Sequence, residues 1–131
     1  MKTMTLALLL LMLSPLAVAA NKGWSDQTGN DMLPLCSLAV DLLDNRDLSR
    51  EQAEKALECL HYISGFLDGY TASSALAEGK PMVCFPADSN TGQMVRVAVK
   101  WMKDHPEKLN QPASVCVFQA FLDSFACKYP K

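Results

Sequence analysis

Apolar positions along this 131-residue chain recur at helical spacing and almost never alternate as strand residues do. No alternating run bounded by Asn-Gly or Asp-Gly turns is present. In "NDMLPLCSLAVDLLDN", Met32, Leu35, Cys36, Ala39 and Leu42–Leu43 share one face. This predicts a helix capped by Asn30 or Asp31, with Pro34 in its first turn, where a missing N–H costs nothing. In "LSREQAEKALECLHYISGFLDGYTASSALAEG", Ser49 and Gln52 have capping-box spacing. An apolar stripe then runs through Ala53, Ala56–Leu57, Leu60, Ile63, Leu67 and Tyr70–Thr71. Gly79 is placed to end this second helix and Pro81 forbids its continuation. "VCFPADSNTG" reads as a loop. A third helix is expected from Thr91 or Gly92 to His105, which precedes proline and so leaves the α region. A fourth is expected from about Pro112 through "ASVCVFQAFLDSFA".

The chain ends change the picture before any core is counted. Lys2, the apolar run Leu6 to Leu13 and the small residues "AVAA" (Ala17 to Ala20) have the layout of a secretory signal peptide. The apolar run is too short for a membrane-spanning helix, which needs about 20 residues. The expected organisation is a signal peptide over 1–20 and a single helical domain over 21–131, exported to the periplasm. No lipobox cysteine follows the apolar run, so no membrane anchor is expected after cleavage. Cleavage removes one lysine and no acid, so 12 basic and 14 acidic residues become 11 and 14, a net charge of −3. That balance argues against nucleic acid as a partner. Charge is unevenly spread. Asp31 to Glu78 carries nine acids and three bases, and Lys80 to Lys131 carries seven bases and four acids.

Export implies an oxidising compartment, so the five cysteines are read first as disulfide material. Two antiparallel helices joined by a short turn juxtapose residues equidistant from that turn. Cys36 and Cys59 are centred in "DNRDLS", and Cys84 and Cys127 are centred between His105 and Pro106. Cys84 with Cys116 would be centred inside a continuous helix. Cys116 and Cys127 on one helix would lie ~16 Å apart, against a Cα limit of ~7 Å. The expected pairs are therefore Cys36–Cys59 and Cys84–Cys127, with Cys116 a small buried hydrophobe. The fold class is all-α: a small bundle of four main helices in two disulfide-stapled hairpins. "HPEKLNQPA" is then a hinge, with Asn110 or Gln111 capping the fourth helix.

Catalysis finds little support. His61 and His105 are the only histidines, and Cys59 and His61 point to different helix faces. No G-x-S-x-G, H-E-x-x-H or phosphate loop appears, so no enzyme activity, catalytic residue, metal site or cofactor is expected. Gly65 and Gly69, one turn apart, cost about 1 kcal/mol each in a soluble helix. They point to close approach of a neighbouring helix or to a homodimer crossing. Arg96, Lys100 and Lys103 form a basic stripe whose simplest role is a solvated face. Trp101 beside it is either core-facing or a rim anchor.

The ordered set "CLHYISGFLDGY", "CFP", "TGQMVRVAVKWMKDHPEKLNQPA" and "FAC" resembles the Rap/Tai family, immunity proteins against amidases delivered by type VI secretion. The likeness runs from about Cys36 to Cys127. It implies an all-helical periplasmic protein, commonly dimeric, that binds a peptidoglycan amidase and blocks its cleft. Cys36, Cys59, Gly65, Gly69, Tyr70, Cys84, Pro86, Gln93, Pro106, Pro112 and Cys127 carry over as scaffold positions. The family usually closes with Phe-Pro-Cys where this chain has Phe125-Ala126-Cys127, and an aliphatic residue is more usual at Cys116. No contact residue follows from the motif. A cleft is concave, so projecting parts should enter it: the "GKPMVCFPADSN" loop and the "DHPEKLNQ" hinge. The expected contacts are Lys80, Asp88, Ser89 and Asn90, then Lys103, Asp104 and Glu107. The competing class is a periplasmic structural or stress-related helical module with no cognate toxin.

Overall fold

The computed structural model describes residues 26–130, so the expected signal peptide lies outside the described residues. Four helices follow one another: α1 (Gly29–Leu43), α2 (Arg50–Leu76), α3 (Thr91–Asp104) and α4 (Ala113–Phe125). Among the described residues there is no β-strand, only isolated bridges at Thr28–Pro112 and Val83–Ala126. Cys36–Cys59 ties α1 to α2 with 5.0 Å between Cα atoms. Cys84–Cys127 ties the loop before α3 to the chain after α4, with 4.9 Å between Cα atoms. Cys116 is free and buried. The register inferred from the two turns is the one the chain adopts.

The helix ends differ in places from the expected ones. The first cap is Thr28 rather than Asn30 or Asp31. The Asp31 carboxylate accepts from both the Thr28 N–H at 2.8 Å and the Thr28 hydroxyl at 2.7 Å. Pro34 consequently lies inside α1 instead of in its first turn. It is exposed, so the carbonyl that loses a partner is on the solvent side, where water can serve it. At the far end α2 stops at Leu76 with Ala77 in extended backbone, two residues before Gly79. Gly79 is not the cap, because the chain leaves this helix without a left-handed residue. The Ser49–Gln52 capping box is present, and Asn90 caps α3 by accepting the Gln93 N–H at 2.9 Å.

The hinge is built differently from expectation. Pro106–Lys108 forms a single 3-10 turn, and Pro112 caps α4 without a side-chain bond. Asn110 and Gln111 do not cap α4; they serve α1. The Gly29 N–H donates to the Gln111 carbonyl and the Asn30 N–H to the Leu109 carbonyl, both at 3.0 Å. The Asn30 side-chain amide also donates to Asn110 Oδ1 at 2.9 Å. A helix starts with N–H groups that no intrahelical carbonyl reaches, and the hinge carbonyls satisfy two of them here. His105 closes α3, its ring stacked 4.4 Å over Trp101 and its Nδ1 2.9 Å from the Trp101 carbonyl.

The core is made mainly by α3 and α4. Met94, Val95, Ala98, Val99, Trp101 and Met102 are buried on α3, and Ala113, Cys116, Val117, Ala120 and Phe121 on α4. Trp101 faces the core, and its indole N–H donates to Asp123 on α4 at 2.7 Å. Along α2 only Ala56, Cys59 and Ile63 are fully buried; Leu57 and Thr71 of the expected stripe are exposed. Gly29 has a specific packing reason. A Cβ there would stand 2.8 Å from Cys116 Sγ and 3.0 Å from Leu109 Cα. Gly29→Ala should therefore cost about 1–3 kcal/mol through overpacking, and Cys116→Ala about 1 kcal/mol through lost packing. Removing the sulfur relieves the closer clash, so the double substitution should cost less than the sum of the two. Urea unfolding of the three variants measures this; simple additivity would contradict the contact.

Candidate functional site

The end of the molecule holding Cys84–Cys127 is made of two chain segments lying side by side. The Cys84 N–H donates to the Phe125 carbonyl at 2.8 Å and the Cys127 N–H to the Met82 carbonyl at 2.9 Å. Val83 and Ala126 form an antiparallel bridge between them. Tyr70 on α2 holds this ribbon from below, its hydroxyl oxygen accepting the Val83 N–H at 2.8 Å. Its ring sits edge-on to Phe85 at 5.8 Å, and Phe85 in turn packs edge-on to Phe121 at 5.3 Å. Residue alternation in an extended segment then sorts the ribbon's two faces. Val83 is buried, whereas Met82 on one side of it and Cys84 on the other are exposed. Tyr129 extends the outer surface, its hydroxyl donating to the Pro81 carbonyl at 2.7 Å. The Lys80 ammonium lies 4.7 Å from the centre of its ring.

The seven residues expected to contact a partner separate into two groups that the fold keeps apart. Asp88, Ser89 and Asn90 precede α3, while Lys103, Asp104 and Glu107 surround its other end. The helix between them has 14 residues, so they are about 20 Å apart. The structure does not bring them onto one tip. Several are also engaged within the chain. Asn90 is the α3 cap, the Ser89 hydroxyl donates to the Pro86 carbonyl at 2.7 Å, and Asp104 pairs with Lys100. Lys80, Asp88, Lys103 and Glu107 are exposed.

The basic stripe on α3 is largely neutralised. Arg96 pairs with Asp44 at the end of α1 at 2.8 Å, and its hydrogen bond holds the Asp44 carboxyl below the usual carboxylate range. Lys100 does the same to Asp104. Gly65 and Gly69 have open space where a Cβ would stand, so no helix of this chain crosses there. His61, Tyr62, Gly65 and Phe66 instead line a shallow apolar hollow.

Sequence reasoning missed three residues. Leu76, Met82 and Tyr129 are 87%, 57% and 43% exposed, against near-complete burial of the core around them. The alternation in "KPMVC", with Met82 flanking a buried Val83, is the signal that could have found one of them. Among the described residues no group of His, Cys, Asp or Glu is arranged to hold a metal ion. Cys59 is consumed by its disulfide, and burial pushes the Cys116 thiol up, away from the reactive thiolate.

A family model described as Rap1a immunity proteins matches residues 28–127. No curated protein and no solved structure shows significant similarity to the chain.

Proposed function

The chain belongs to the Rap1a immunity protein family, and from that premise we propose that it binds and blocks a peptidoglycan amidase delivered by type VI secretion, acting in the periplasm. Membership of an immunity family implies a toxin as partner, and such proteins are generally non-enzymatic. The observation that carries the reading furthest is the stapled end. A helical domain presents a convex surface, and here one projecting ribbon is fastened by Cys84–Cys127 and by the Tyr70 hydroxyl. A segment already ordered loses little entropy when it enters a cleft, which is how a small inhibitor reaches tight affinity. Inhibition of this kind needs no chemical step from the inhibitor. It needs a surface that fits the enzyme and keeps substrate out.

The two disulfides support a periplasmic site of action, since such bonds persist in oxidising compartments. No helix among the described residues is long and apolar enough to cross a membrane. The test is co-expression in the periplasm with the secreted amidase encoded nearest to this gene. Cells making both proteins should survive, and the two should purify together. Lysis despite full expression of this chain, with no co-purification, would leave the family's helical scaffold without a toxin and favour the structural or stress-related module.

A further inference from the structure

The ribbon's outer surface combines features that a solvated loop does not need. Met82 and Tyr129 lie exposed on its two strands, with the Cys84–Cys127 bridge between them. Leu76, the last residue of α2, adds an exposed side chain four positions before Lys80. Scattered surface leucines are ordinary, but a contiguous apolar patch on a stapled projection marks an interaction site. Met and Tyr are also among the residues enriched at interface cores. The charges around the patch have one sign. In residues 80–84 and 126–130 the only charged side chains are Lys80 and Lys128, in a chain whose net charge is −2.

We propose that this face, with Met82 and Tyr129 at its centre and Lys80 and Lys128 on its rim, is where the toxin docks, through a cleft with an apolar floor and an acidic edge. The proposal rests on the immunity reading and deepens it. It moves the contact away from Asp88, Ser89 and Asn90, which are largely spent on the turn and cap of α3, and from the hinge about 20 Å further on. Tyr129 is suited to the centre because its hydroxyl is already held by Pro81 and its ring by the Lys80 ammonium, so it brings area without losing freedom. The lysines on the rim should act on the rate of encounter more than on the lifetime of the complex. A second copy of this chain is a poorer occupant, because it would set Lys80 and Lys128 of one protomer near those of the other.

The experiment measures the affinity of the full mature chain for the purified, catalytically inactivated amidase named above, by calorimetry. Met82→Glu and Tyr129→Ala are compared with Leu57→Glu, which places a charge on the exposed side of α2 remote from the ribbon. Met82→Glu should weaken binding at least 100-fold and Tyr129→Ala at least 10-fold, with unchanged helical content, while Leu57→Glu binds as the unaltered chain does. Lys80→Glu should slow association and flatten its salt dependence. Unaltered affinity of both Met82→Glu and Tyr129→Ala overturns the proposal while leaving the immunity reading in place. If those variants instead dissociate a dimer without changing amidase affinity, the face belongs to a second copy and the proposal also falls. Failure of the unaltered chain to bind removes the immunity reading, and this inference with it.

Discussion

Cys84→Ala is expected to lower the stability of the mature protein by about 4 kcal/mol in the chain-entropy account of disulfides. The bridge spans 43 residues, and the unfolded chain gains the freedom that the closed loop had denied it. Cys36→Ala opens a span of 23 residues and should cost somewhat less, about 3 kcal/mol by the same relation. Domains of this size are stable by roughly 5–15 kcal/mol, so either change uses a large share of the margin. The two losses should also differ in kind. Cys36 and Cys59 are fully buried between packed helices that keep their contacts when the sulfurs part. Cys84 and Cys127 join segments otherwise held by two main-chain hydrogen bonds and the Tyr70 hydroxyl. The ribbon should therefore fray locally in Cys84→Ala, and toxin affinity should fall further than global stability alone would require. Urea unfolding without reductant, with amide exchange at residues 82–84, reads both effects. A smaller loss for Cys84→Ala than for Cys36→Ala, with the ribbon amides still protected, would show that loop length does not govern the ordering.

Phe121→Ala should cost about 3–5 kcal/mol, the range for deleting a buried aromatic side chain. Phe121 has no exposed surface, and its ring lies 5.8 Å from Phe66 of α2 and 5.3 Å from Phe85 of the loop. Phe85 continues the chain of rings to Tyr70 at 5.8 Å and Phe125 at 5.9 Å. These side chains join α2, the ribbon and α4 at a place where no main-chain ladder connects them. A hole at Phe121 removes the central member of that set, and Phe85 and Tyr70 lose the surface that fixes their orientation. Phe121→Leu keeps most of the volume and should lose well under half as much. Thermal unfolding followed by near-ultraviolet dichroism measures the loss of stability and of aromatic packing together. A loss below about 1 kcal/mol for Phe121→Ala would mean that the rings pack independently of one another.

The four helices were legible because each carries its own signal in neighbouring residues. Ser49 and Gln52 cap α2 through a three-residue spacing, and Pro106 ends α3 by steric exclusion at His105. The disulfides were legible for a related reason: a short turn places residues equidistant from it opposite each other. The first cap was misplaced because Thr28 is fixed partly from outside its helix. Its neighbour Gly29 donates to Gln111 and must be a glycine because Cys116 and Leu109 stand against it. Asn110 and Gln111 were misassigned for the same cause, since they serve α1, some 80 residues away in sequence.

Local periodicity, capping and turn placement, all governed by sequence separations of a few residues or by a single turn, determined the all-helical class, the hairpin pairing and the solitary Cys116. The tertiary structure alone decided which surfaces remained open. Gly65 and Gly69 were expected to meet a helix and meet none, because the direction in which α2 leaves the core depends on contacts with three other elements. The seven polar candidates were chosen for lying in loops, yet a loop residue is free only if its hydrogen bonds are unused, and Ser89, Asn90 and Asp104 have used theirs. Met82 and Tyr129 look like core residues by type. They stand in water because the core beneath them is already filled by Val83, Phe85 and Phe121, and the number of apolar side chains that a small helical domain can cover is a property of its volume rather than of any stretch of its sequence.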